Sequence, residues 1–349
     1  MRLIHWFLKL GVMAAAIMGN SGALATAETA NPQASGATRK VLTYFQELAA
    51  RTEGPRLLSG QFSDFGEGAS LGLMAQIHER TGHWPAMIGV DYADFGRGGL
   101  TFAKPNAAAS AYWHQGGLVT VSAHLYNPAN PKGGGLRDKG VHFSALLEPG
   151  ETRERWLKEM GQLGDGLQAL QRDGVVVLWR PFHEMNGGWF WWGAQEPAQF
   201  IAVWREMFNY LSKTRGLDNL LWVYAPNHGD KTAAYYPGDA YVDMVGFDAY
   251  TDFIDPDHIR GYAELAALLK PFGFSEFGPH GPQHPPADYD YRRFLTGVTN
   301  HFPKVRYFKA WNGGWSLGTN QFTREFLSDP VVINRENLPS GLAGSSTGR

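Results

Sequence analysis

The sequence predicts an α/β chain folded as a single (β/α)8 TIM barrel, and three observations carry that expectation. Eight short apolar, β-branched or aromatic runs recur with helical stretches between them, the alternation that builds a parallel sheet. The runs end on functional side chains (Gln61, Asp91, His124, His183, Glu184, Asn227, Asp248, Glu276, Trp311 and Asn312), which such a barrel gathers at its carboxyl face. No G-x-G-x-x-G opens a helix after the first run, so a doubly wound open sheet lacks its signature.

In chain order, Arg2 and Lys9 precede an apolar run from Leu10 to Met18 that is too short to span a bilayer. Small residues follow, with A-x-A sites ending at Ala25 or Ala27, so residues 1–25 read as a signal peptide and the protein as secreted. Residues 26–38, rich in Pro, Gly, Ser and Thr, read as a flexible spacer. Residues 39–340 form one domain without linker or repeat, and 341–349 a disordered Gly/Ser tail. The expected strands are Leu57–Gln61, Ala86–Asp91, Leu118–His124, Val175–Arg180, Leu220–Ala225, Met244–Asp248, Phe272–Glu276 and Tyr307–Trp311. Helical patterns fill Ser70–Thr81, Thr152–Asp173, Pro197–Thr214, Ile259–Leu269 and Tyr289–Phe302. The longest strand-to-helix connection, residues 125–151, would roof part of the barrel mouth.

Composition narrows the chemistry. With no cysteine, thiol catalysis, disulfides and Cys-ligated metals are excluded. The 31 basic and 33 acidic residues balance without a basic run, which argues against nucleic acid and anionic membrane as partners. Twelve Trp, 14 Tyr and 21 Phe suit either a large core or stacking on sugar rings. Trp191, Trp192, Trp222, Trp311 and Trp315 are open to both readings, with at most one of the adjacent Trp191 and Trp192 facing a cleft, while Trp179 inside a strand reads as core. The stretch His280–Pro286 reads as a stiff loop.

The most informative segment is Arg180-Pro-Phe-His-Glu184-Met-Asn-Gly-Gly-Trp189-Phe-Trp-Trp-Gly193 at the end of the fourth run. A glycosidic bond resists water and is cut by protonating the leaving oxygen while an anion meets the cation-like sugar carbon, which calls for two carboxyl groups. Glu184, among Phe182, Trp189 and Trp191, sits where an apolar wall would raise its pKa and keep it an acid; the alternative is an ion pair with Arg180. Glu276 ends the seventh run with Gly278-Pro279 turning the chain after it. Strands four and seven lie nearly opposite, so both glutamates can aim at one bond. A separation of about 5–5.5 Å would mean a nucleophile and retention, and about 6.5–9.5 Å a water and inversion.

On these residues the chain resembles glycoside hydrolase family 26, whose best-known members are β-mannanases, from Ser59-Gly60-Gln61 through Trp311. The resemblance implies retaining double displacement, with Glu184 as acid/base and Glu276 as nucleophile. It places His183 where related barrels hold an Asn that binds the 2-hydroxyl, and Asp248 and Tyr250 in the segment whose tyrosine holds the nucleophile. Trp189 matches an aromatic beside the cleaved bond and His124 a histidine on the −1 sugar, while Trp311 completes the expected substrate contacts. Ala123 stands where many members have Trp, and residues 126–147 hold only Tyr126 and Phe143 as aromatics, so the minus-side platforms depart from the family.

The expectation is thus an endo-acting hydrolase of β-1,4-mannan, glucomannan or galactomannan, a monomer without metal or other cofactor. The same site on another β-glycan, such as mixed-linkage glucan, β-1,3-xylan or an exopolysaccharide, is the near alternative. A metal-dependent sugar isomerase using His124, His183, Glu184 and Asp248 is a distant one, because no H-E-x-x-H or H-x-H spacing occurs. A non-catalytic carbohydrate-binding barrel would have lost a carboxylate, and both are present.

Overall fold

Strands buried on both faces need cover on both sides, and the computed structural model supplies it with a closed barrel inside a ring of helices. It describes residues 28–51, 56–130, 135–138, 140–283 and 285–344. The barrel strands are β1 (Gly60–Phe65), β2 (Met87–Asp91), β3 (Leu118–Ser122), β4 (Val177–Arg180), β5 (Leu220–Tyr224), β6 (Met244–Tyr250), β7 (Phe272–Gly278) and β8 (Val305–Ala310). Each pairs in parallel with the next, and β8 returns to β1 through Ala310 opposite Gln61. The eight expected strands are therefore present, with ends shifted by a few residues, as hydrogen-bonded boundaries usually are.

The first run departs most. It divides at Ser59: Leu57–Leu58 pairs with a short C-terminal strand, Val332–Ile333, and Gly60–Phe65 enters the barrel. Ser59 fixes this junction, its hydroxyl donating to Asn334 Oδ1 at 2.9 Å and accepting from the Ala86 amide at 3.0 Å.

The helices are α1 (Gly36–Ala50), α2 (Gly72–Thr81), α3 (Ala103–His114), α4 (Ser144–Leu147), α5 (Glu151–Arg172), α6 (Pro197–Phe208), α7 (Tyr262–Ala266), α8 (Tyr291–His301) and α9 (Thr323–Leu327). The pattern over Pro197–Thr214 continues past α6 as a π-helical turn over Asn209–Thr214. The one expected over Ile259–Leu269 shortens to α7, because Gly261 takes a left-handed conformation (φ 88°) at its entry.

Two boundary expectations are corrected. Residues 28–38, expected within a flexible spacer, are packed: the Ala30 amide donates to Asp243 Oδ1 at 2.7 Å and Asn31 Nδ2 to Asp218 Oδ1 at 3.0 Å. Ser35 then caps α1, which buries Val41, Leu42, Phe45 and Leu48. Small polar residues read as linker, but acceptors on distant strand ends hold them. At the other end Leu342 and Ala343 are buried, so the tail expected from Gly341 stays docked there, while residues 345–349 lie outside the described set. The expected signal peptide, 1–25, also lies outside it. Among the described residues no helix is long and apolar enough to cross a membrane.

Candidate active site

The carboxyl ends of the strands open onto a cavity of about 590 Å3, and Glu184 and Glu276 face it from the ends of β4 and β7. The chain leaves β4 sharply, with Phe182 (φ 48°) and Glu184 (φ 56°) in the left-handed region that non-glycine residues avoid. The Glu184 amide donates to Ala225 O at 2.7 Å. Asn186 and Asn227 bond reciprocally, Nδ2 to O and N to Oδ1, each at 2.8 Å. These bonds hold the unfavourable turn and aim the carboxyl inward.

Glu184 accepts a hydrogen bond from the Trp189 indole N–H at 2.5 Å. Burial, reinforced by the negative charges of Asp248 and Glu276, holds its carboxyl well above the ordinary range. The raised pKa was expected, but from a different wall. Phe182 and Trp191 turn away to pack on Phe143, each with its ring centre 5.7 Å from that ring, and only Trp189 of the three lines the cavity.

Glu276 has the opposite surroundings. Tyr250 donates its hydroxyl to Oε2 at 2.9 Å and Arg180 donates to Oε1. Arg180 also bonds Asp248 Oδ2 at 2.8 Å, so its partners are Asp248 and Glu276, and the pairing with Glu184 is not formed. An irregularity in the β6–β7 pairing sets this geometry: Phe247 opposes Phe274 and Asp248 opposes Glu276, leaving Ser275 as the extra residue. Ser275 then donates to Asp248 Oδ1 at 2.6 Å. Gly278 is required beside it, because a Cβ there would strike the Tyr250 ring.

The structure brings His124 and His183 together, Nε2 to Nε2 at 3.0 Å, with His124 Nδ1 2.8 Å from Asp91 Oδ2. Burial would raise Asp91, but the charge of His124 and hydrogen bonds from His124, Ser122 and Ala93 bring it down to about 2. Burial, with Arg180 and His124, drives His183 well below the ordinary imidazole value. Trp189, Tyr250 and Trp311 also line the cavity. Asp248 does not. Its carboxylate lies beneath the floor, fully buried and taken up by Arg180 and Ser275, so the expected sugar contact is replaced by a role in orienting Arg180.

Of the ambiguous tryptophans, Trp311 and Trp315 line the cavity, whereas Trp191, Trp192 and Trp222 are core. Trp191 and Trp192 still serve the site by donating to Leu125 O and His183 O at 2.8 and 2.7 Å. The 125–151 connection contributes Leu136 and Arg137 to the cavity wall.

Phe95 and Lys309 are among the residues that escaped the sequence reading. Phe95, half exposed, lines the cavity with its ring centre 6.1 Å from that of His124, an aromatic surface from the β2 loop where the β3 loop lacks Trp. Lys309, inside β8, is 2% exposed with Nζ 4.0 Å from Glu276 Oε1. A lysine within an apolar run was its signal, since a charge is buried only where something compensates it.

Carboxylate oxygens of Glu184, Asp248 and Glu276 lie within 4.8 Å of one another. Three carboxylates at that spacing invite a cation, and the Arg180 guanidinium already bonds two of them. The quartet His124, His183, Glu184 and Asp248 does not converge: the imidazoles bond each other and Asp248 bonds Arg180 and Ser275.

A Bacillus subtilis (strain 168) mannan endo-1,4-β-mannosidase is 35% identical, over 96% of this chain and 95% of its own length. The mannan endo-1,4-β-mannosidase A and B of Caldalkalibacillus mannanilyticus is 33% identical over 99% of this chain and 69% of that protein. A solved structure of a Bacillus subtilis mannanase superposes with a TM-score of 0.82 at 33% identity, covering 90% of this chain and 97% of that one. The sequence pattern of the glycosyl hydrolase family 26 matches residues 30–337, and with these relatives and this site the chain belongs to glycosyl hydrolase family 26.

Proposed function

We propose that this glycoside hydrolase is a secreted, retaining endo-β-1,4-mannanase that cuts mannan, glucomannan or galactomannan by double displacement. The observation that carries the mechanism is the short gap between glutamates. One oxygen of Glu184 lies within 4.8 Å of one of Glu276, a close approach that favours the group separation near 5–5.5 Å of a nucleophile over the roughly 6.5–9.5 Å that admits a water.

Glu184, kept protonated, gives its proton to the leaving oxygen as the glycosidic bond breaks, and Glu276 attacks the anomeric carbon to form a glycosyl ester. Glu184, now a carboxylate, takes a proton from water, and the hydroxide so generated opens the ester with retention. Arg180 and Tyr250 aim Glu276, and Trp189 aims Glu184. His124, His183, Trp189, Tyr250 and Trp311 contact the sugar next to the cleaved bond. No metal takes part.

The mannan assignment is supported by the relatives named above and by the polar groups around the −1 position. An axial 2-hydroxyl finds His183 and the Glu276 side of the site, whereas equatorial glucose leaves buried polar atoms unpaired. Digestion of glucomannan tests it. Mannose is expected at most new reducing ends; glucose there, or preference for a glucan or xylan free of mannose, would remove the substrate assignment.

A further inference from the structure

We propose that Lys309 is a positioning residue for the nucleophile: a buried ammonium beside Glu276 that balances the second of two buried carboxylates, so that the first chemical step begins and ends without an uncompensated charge. This rests on the roles of Glu184 and Glu276 given above.

An ammonium in a strand interior is expensive, and here the barrel is shaped around it. Gly89 on β2, one strand beyond the adjoining β1, leaves room for the lysine stem, because a Cβ at that position would lie 2.7 Å from Lys309 Cδ. The Nζ lies 5.2 Å from the ring centre of Phe62 and 5.1 Å from that of Trp311, two rings stacked at 3.9 Å, within cation–π range of both. These contacts leave Nζ 4.0 Å from Glu276 Oε1.

The charged groups facing it are Arg180 on β4, Asp248 on β6, Glu276 on β7 and Asp91 on β2, with His183 also within its field. Asp91 is engaged by His124. That leaves Asp248 and Glu276 against Arg180, two anions for one guanidinium, and Lys309 is the second cation. Burial and Arg180 push its amine down to about 7, so it carries charge on the acid side of that value and loses it above.

The balance persists through the reaction. As Glu276 bonds the anomeric carbon, the electron pair of the broken C–O bond goes to the leaving oxygen, which takes the proton from Glu184. Glu276 becomes a neutral ester and Glu184 an anion. The summed charge is unchanged, and with Asp248 ionised, whose carboxyl burial raises to about 7, it is zero while Lys309 is protonated.

Lys309→Met in the full-length enzyme tests this on an activated aryl β-mannoside. Without the ammonium, Asp248, whose carboxyl burial already raises, keeps its proton to higher pH. The acidic limb of kcat/KM should move up by about one unit while KM changes less than about 3-fold. In a Glu184→Gln background an alkaline limb should persist on this substrate, and adding Lys309→Met should abolish it. Because the chain has no cysteine, Lys309→Cys alkylated with 2-bromoethylamine in denaturant and refolded restores an ammonium at this one place, and should return the acidic limb. That comparison with unalkylated protein stands even where Lys309→Met fails to fold. Loss of thermal stability with both limbs unmoved would overturn the proposal and leave Lys309 merely structural. Wild-type enzyme inert on every β-mannoside would instead sink the substrate reading.

Discussion

Glu184 and Glu276 are the same side chain at the ends of two well-separated strands of one barrel, both nearly inaccessible to water, yet their partners differ completely. Glu184 has one neutral donor, the Trp189 indole, on a backbone turn in the left-handed region. Glu276 lies on a regular strand past a bulge, with an arginine and a tyrosine hydroxyl on its two oxygens and a lysine 4.0 Å away. What separates an acid from a nucleophile is therefore the partner set. Burial with a neutral donor favours the protonated form, and burial with cationic donors makes an acceptor of both oxygens.

The largest expected effect lies on the Glu276 side. Glu276→Ala should lower turnover by about 10^4-fold or more on every substrate, and azide should restore part of it as a glycosyl azide of inverted configuration. Full activity without azide would end the comparison, since the anion would then be elsewhere.

Replacing Glu184 should separate substrates. Glu184→Ala should cost polysaccharide hydrolysis far more than cleavage of an activated aryl glycoside, whose leaving group needs no proton. Equal losses would remove Glu184 as the acid. Its raised pKa also predicts a stability signature. The native state keeps this proton where the unfolded chain releases it, so wild-type stability contributed here is full below about 4.5 and is lost as pH rises through the native value. Glu184→Gln, which cannot ionise, should therefore gain in Tm over wild type as pH rises above 4.5. A pH-independent Tm difference would mean that the carboxyl is not held protonated.

A smaller effect is expected at Tyr250, which gives Glu276 one of its hydrogen bonds. Tyr250→Phe removes a bond to a charged group worth about 1.5–3 kcal/mol, so kcat should fall about 10- to 100-fold with little change in fold. A KM effect alone would move Tyr250 from aiming the nucleophile to holding sugar. The smallest expected effect is none: dialysis against EDTA should leave the rate unchanged, because Arg180 already bonds two of the three carboxylates a cation would bridge. A loss restored by one divalent ion would replace the arginine-based contrast between the two glutamates with a metal-based one.

The sequence by itself determined the barrel and its two glutamates. Strand-helix alternation, the strand-end positions of functional side chains and the His183-Glu184 and Ser275-Glu276 segments are local patterns, and local patterns survive in one dimension. Tertiary structure alone decided the partners. Arg180 lies four residues from Glu184 in the chain but bonds Glu276 and Asp248, 96 and 68 residues away. Asp248 drops beneath the floor because Ser275 is bulged out of register, and residues 28–38 dock because Asp218 and Asp243 wait on distant strand ends. Lys309, one charge in an apolar run, is explained only once closure of the barrel brings β8 beside β7. Hydrogen bonds and charge pairs act through space over a few ångströms, and which residues stand that close is set by strand order and register rather than by spacing along the chain.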